Sequence, residues 1–153
     1  MKVFLFSKEN SEEKNKKVNK LKLSGKSQIK SVTISNPKKS SSLYIIHGLK
    51  IRNKNNNAHS LKRIGLYGNN NNNDFKEQKK EEPNIYFNNM NQENHVDELQ
   101  LKEVKIRENN NISNLELLDE QFVIILPGGS IAVEFNNELE ELDGEISIEK
   151  TKI

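Results

Sequence analysis

The most ordered hydrophobic pattern in the chain runs from Gln121 to Asn136, QFVIILPGGSIAVEFN. Phe122–Leu126 is a run of five large apolar residues, too short for a buried helix, rich in β-branched types and stopped by proline. It predicts a strand buried on both faces. Pro127-Gly128 predicts a tight turn, because proline presets one turn dihedral and glycine accepts the next. Ile131, Val133 and Phe135 then alternate with Ala132 and Glu134, which predicts a strand with one face in a core and the other toward water. Read together, the two strands form a central hairpin, and Phe122, Ile124, Ile131, Val133 and Phe135 are the expected core.

The rest of the chain repeats short apolar runs between turn signals. Val3–Phe6 predicts a first strand. Leu21 and Leu23, then Ile29, Val32 and Ile34, predict two short strands around Gly25, with the alternation slipping between Ile29 and Val32 as a bulge makes it slip. Asn36-Pro37 followed by KKSSS reads as a turn. Leu43–Arg52, LYIIHGLKIR, is a further strand in which Gly48 marks a bulge or a close backbone approach. Leu61–Tyr67, as a strand or one helical turn leading into it, Ile85 with Phe87, Leu99–Ile106 and Leu115–Leu118 continue the series, and Ile146 with Ile148 follows a turn at Asp143-Gly144. Eight to ten short strands with no helical periodicity predict an all-β fold, a single antiparallel β-sandwich or jelly-roll-like domain spanning 1–153.

Between these strands lie long polar, Asn-rich stretches. Residues 69–82 and 88–97 are expected to be exposed loops, since they offer little apolar area to offset the ordering of their backbone. LKIRNKNNN at Leu49–Asn57 is echoed by VKIRENNN at Val104–Asn111. A duplicated half-domain would produce such an echo, and so would biased composition.

Composition narrows the class further. Leu, Ile, Val and Phe make up 43 of 153 residues, above the roughly 20% at which chains fail to collapse. Cysteine is absent, so disulfides, thiolate metal sites and thiol nucleophiles are excluded. The opening MKVFLFSKE has too short an apolar run for a signal peptide, and no run reaches the length of a membrane span, so a cytoplasmic or virion location without membrane association is expected. The net charge of +2 hides an asymmetry. Residues 1–64 carry 16 Lys or Arg against three acids, whereas residues 65–153 carry 8 against 19. If the halves separate in space, a basic face can meet nucleic acid, an acidic partner or the acidic face of another copy. If they interleave as strands, the charges mix.

Candidate chemistry is sparse. His47, His59 and His95 share no ligand spacing, and His47 sits inside an apolar strand, where a histidine is a core or edge residue more often than a ligand. The acidic run Glu138, Glu140, Glu141, Asp143 and Glu145 lacks the glycine placement of a calcium loop and reads as a solvated loop. Gly128-Gly129-Ser130 leads into a strand where a nucleophile elbow leads into a helix, and Gly25-Lys26-Ser27 lacks the upstream glycine of a phosphate loop. No catalytic, cofactor-binding or metal-binding residue is assigned, no cofactor is expected, and the chain reads as a non-enzyme.

The order of apolar strand, Pro-Gly-Gly and alternating strand over Phe122–Asn136 resembles that in small jelly-roll and immunoglobulin-like accessory modules of phage heads and tails. The resemblance covers about fifteen residues. It implies a structural or assembly component of a virion, acting through a protein partner or by self-assembly through charge-complementary surfaces. The alternative is a β-sandwich module that binds carbohydrate, or nucleic acid through the basic residues 1–64. Carbohydrate platforms use tryptophan or tyrosine, and tryptophan is absent.

Overall fold

A computed structural model describes residues 2–8, 18–53, 61–67, 82–88, 97–98, 105–109 and 112–153. The described residues form ten strands: β1 (Val3–Ser7), β2 (Asn19–Ser35), β3 (Ser42–Asn53), β4 (Leu61–Tyr67), β5 (Asn84–Asn88), β6 (Asp97–Glu98), β7 (Lys105–Asn109), β8 (Ile112–Leu117), β9 (Gln121–Ile125) and β10 (Ser130–Lys152). Every pairing is antiparallel, and the described residues include no helix. The all-β expectation holds. Most of residues 69–82 and 88–97, and Leu99–Val104, lie outside the described residues.

The sheet is organised around β10. Along one side it pairs with β2, from Ser130↔Ser35 to Ile148↔Asn19. Its other side changes neighbour: β4 accompanies Ser130–Phe135, and β3 accompanies Leu142–Lys152. The change coincides with a break in register. Glu134 faces Ser31 and Leu139 faces Ile29, so four residues of β10 stand opposite Lys30 alone. Gln28, at φ 53°, lies beside this irregularity. Extra residues on one strand bend it and increase its twist. The slip read between Ile29 and Val32 belongs to this corner, but the two short strands expected there are one continuous strand.

Asp143-Gly144 is not a turn but the interior of β10, with Gly144 opposite Leu23 and Ile51. A Cβ on Gly144 would collide with the Lys50 carbonyl oxygen, so glycine is required by close backbone approach, which sequence alone reads as a turn signal. The acidic run Glu138–Glu145 is accordingly strand, not loop.

The expected central hairpin is also absent. β9 pairs with β1 and β3, β10 pairs with β2, β3 and β4, and the two strands flanking Pro127-Gly128 do not pair with each other. Their burial is the reverse of the expectation. β9 is buried at Gln121, Val123 and Ile125 but only half-buried at Phe122 and Ile124. Ser130–Phe135 is buried at every position. The unbroken apolar run therefore has one open face, while the alternating run has neighbours on both. Ile131, Val133 and Phe135 join the core as expected, and Ala132 and Glu134 are wholly buried too. Glu134 faces Ser31 and Arg63 in register.

The turn between β9 and β10 is held by Asn36. Its N–H donates to Gly129 O at 2.9 Å, and its carbonyl accepts from Gly128 N at 2.8 Å. Its side-chain amide donates to Ser42 O at 2.9 Å and Ile125 O at 3.0 Å. Gly128 takes φ 87° there, a conformation open to glycine and costly for larger side chains.

Strand order mixes the charges that the sequence separates. The acidic β10 lies between the basic β2 and β3, so Lys22, Glu145, Lys50 and Glu116 follow one another across β2, β10, β3 and β8, and Lys105 of β7 continues the rung. Lys20–Glu145 at 3.5 Å and Arg52–Asp143 at 3.8 Å are ion pairs of this face, exposed enough to contribute little individually. The two halves of the echo are neighbours of one strand: Lys50-Ile51-Arg52 and Lys105-Ile106-Arg107 flank β8 on its two sides, each in register with Glu116, Leu115 and Asn114.

Candidate functional site

The least conventional surface is the outer face of β1, β9 and β3. In β1, VFLFS, both sets of alternate residues are apolar, so one set faces away from the core wherever the strand lies. Val3 is buried and Leu5 packs against the core, while Phe4 and Phe6 remain 38% and 44% exposed. Register aligns Phe4 with Ile124 and Phe6 with Phe122, and Ile124 in turn with Ile45. Phe6 stacks on Phe122 with centroids 5.3 Å apart, and Phe122 lies 6.0 Å from the His47 ring. A patch results in which Phe4 and Phe6 are exposed and Ile45, Phe122 and Ile124 half-buried. Contiguous apolar side chains open to solvent mark contact surfaces.

β1 pairs with β9 and, among the described residues, with no other strand. The direction of its backbone groups follows from two bonds. Leu126 donates to Lys2 O, and Lys8 donates to Glu120 O, both at 2.8 Å. Alternate residues of an antiparallel strand bond to the same side. Lys2, Phe4, Phe6 and Lys8 therefore bond to β9, while Val3, Leu5 and Ser7 turn their N–H and C=O groups to the other edge. No charge, proline or bulge interrupts the strand, and these are the devices that protect an edge from pairing.

The far end of β1 is pinned by Lys8. Its ammonium donates to His47 O at 2.6 Å and to Leu118 O and Asp119 O at 3.1 Å. It thereby ties the edge strand to the His47–Gly48 bulge of β3 and to Leu118, which takes the left-handed φ of 64°. His47, read as a core or edge histidine, is half-buried, and its Nε2–H donates to Glu149 Oε2 at 2.8 Å. A paired, sheltered imidazole at the patch border orients the ring against Phe122 and brings no metal-ligand set.

The other residues weighed in the sequence do not converge. His59 and His95 lie outside the described residues. Glu138, Glu140, Glu141, Asp143 and Glu145 are spread along β10, and no group of three or more His, Asp or Glu suited to a metal occurs among the described residues. Gly25-Lys26-Ser27 is strand interior. A Cβ on Gly25 would meet the Phe87 ring at 2.7 Å. Gly128-Gly129-Ser130 carries the turn held by Asn36. A groove of about 700 Å³ over Gly144 is lined by Lys22, Lys50, Arg52, Glu116, Asp143 and Glu145. Its balanced charges offer neither a cationic nor an anionic ligand a uniform field. No helix among the described residues is long and apolar enough to cross a membrane.

The chain matches no protein-family model, no curated protein and no solved structure. Sequence reasoning weighs Phe4 and Phe6 only as stacking aromatics for nucleic acid and sets them aside as residues of an apolar strand. The available signal was apolar character on both faces of β1, which becomes informative only when the strand is known to stand at an edge.

Proposed function

We propose that the chain is a non-enzymatic structural or assembly component, a single β-sandwich domain that works through a protein contact on the outer face of β1, β9 and β3. The sandwich reading is supported by the corner in β2 and β10, where the neighbours of β10 change, and by burial of Ser130–Phe135 on both faces. Strands that pass from one layer to another do so at such bulges. The observation that carries the functional reading is the exposure of Phe4 and Phe6 on an uncharged edge strand. A place in a virion rests on the resemblance of Phe122–Asn136 alone. Charge-driven assembly has less support than an apolar contact, because the described strands alternate their charges. The same alternation weighs against a polyanion along β2 and β3.

The test is the mass of the species that contains the chain in its source cells. Gel filtration of a gentle extract is expected to place it in a complex larger than 17.6 kDa. Phe4→Lys with Phe6→Lys should shift it to the monomer position, while Glu140→Lys, an exposed change on β10, should not. Elution of the native chain as a monomer would overturn the reading.

A further inference from the structure

We infer that the partner at this surface is a second copy of the chain, joined edge to edge through β1; the inference rests on the contact surface proposed above. Val3-Phe4-Leu5-Phe6-Ser7 is nearly symmetric about Leu5. Antiparallel pairing of β1 with its copy, centred on Leu5, sets Val3 against Ser7, Phe4 against Phe6 and Leu5 against Leu5. This register uses the backbone groups that β9 leaves over. Val3, Leu5 and Ser7 all point outward, so the pairs Val3–Ser7, Leu5–Leu5 and Ser7–Val3 each exchange two hydrogen bonds.

The side chains fit the same axis. Phe4 against the copy's Phe6 is a non-hydrogen-bonded pair, the kind whose side chains lie closest. Phe6 is already stacked on Phe122, and Phe4 already faces Ile124. Pairing therefore extends two apolar rungs across the axis: Phe122, Phe6, Phe4, Ile124 and its symmetry mate. Lys2 falls opposite Lys8 of the copy, a like-charge pair. That repulsion is reduced because the Lys8 ammonium is turned back into three carbonyls of its own chain. The residues that follow β1, 9–17, ENSEEKNKK, contain no apolar side chain that could cover the patch instead. An isologous two-fold contact of this kind closes as a dimer and does not propagate. Two five-residue strands bury less than the roughly 800 Å² per partner of a stable interface, so dimerisation is expected at micromolar concentrations and above.

Sedimentation equilibrium of the purified chain over a concentration series tests the pairing and its register together. The native chain should move from monomer to dimer. Phe4→Lys with Phe6→Lys places lysine against lysine and should weaken association at least about tenfold. Mixing that variant with Phe4→Glu/Phe6→Glu chains should restore a mixed dimer at low salt, since every lysine then faces a glutamate. Ser7→Pro, at an exposed position whose N–H points outward, removes two of the six bonds with little effect on packing within the chain, and should also weaken the dimer. Matching thermal midpoints establish that each variant folds. A native chain that stays monomeric throughout, or a Lys/Lys variant that dimerises as the native chain does, overturns the second copy as partner. If that monomer still enters a larger complex in its source cells, the contact surface stands and the partner is a different protein; if it does not, both fail.

Discussion

Asn36 and Ile125, 89 positions apart, are joined by a 3.0 Å hydrogen bond from the Asn36 side-chain amide to the Ile125 carbonyl. Through Asn36 the turn after β2 and the turn before β10 become one unit, which holds the two long strands that form most of the core. The Asn36→Ala chain loses two buried side-chain hydrogen bonds, to Ser42 O and Ile125 O, of which Ser42 O keeps the Ser40 hydroxyl as a donor. It is expected to be less stable by about 1–3 kcal/mol. Urea unfolding measures this, and a midpoint equal to that of the native chain would refute the role given to Asn36.

Gly144 and Gly48 lie on adjacent strands and separate close approach from a bulge. A Cβ on Gly144 would collide with the Lys50 carbonyl, whereas one on Gly48 would meet the Ser147 side chain at ordinary contact distance, 3.6 Å from Oγ and 3.7 Å from Cβ. Gly144→Ala should force β3 away from β10 at a cost of about 2 kcal/mol or more, and Gly48→Ala should stay within about 1 kcal/mol of the native stability. Equal effects in denaturant titrations would show that β3 and β10 do not approach as described.

Phe135 and Phe122 test the corrected burial. Phe135 is fully buried, so Phe135→Ala should cost about 3–5 kcal/mol. Phe122 is half-buried, and its truncation should cost no more than about 2 kcal/mol. The reverse order would reinstate the reading taken from the unbroken apolar run.

Alternation at Ile131, Val133 and Phe135, and the bulge at Gly48, were readable because they depend on local period and on a residue type with a local effect. Asp143-Gly144 misled because glycine marks both turns and tight strand approach, and only the neighbouring strand distinguishes them. Phe122 misled because a strand's second face is covered or open according to what packs on it from elsewhere. The same limit hid the candidate surface. Phe4 and Phe6 are indistinguishable from core residues until β1 is placed at an edge, and Lys8 is an unremarkable lysine until its three carbonyls are brought together.

Lys8→Met removes an ammonium that satisfies the carbonyls of His47, Leu118 and Asp119. Charge-assisted bonds at a half-buried site support an expected loss of about 1–2 kcal/mol. Loosening of the β1 end should accompany it, visible as faster exchange of the Lys8 amide. Unchanged stability and exchange would show that β1 is anchored by its pairing with β9 alone.

Amide hydrogen exchange along β1 tests the central claim most directly, that this strand is an edge with its outward groups available for pairing. In dilute solution Leu5 and Ser7 should exchange fast and Phe4 and Phe6 slowly, because alternate amides bond to β9. At high concentration Leu5 and Ser7 should gain protection as a second strand docks. Protection of all four at the lowest concentration would mean that the edge is already occupied within the monomer, and that result would contradict the account.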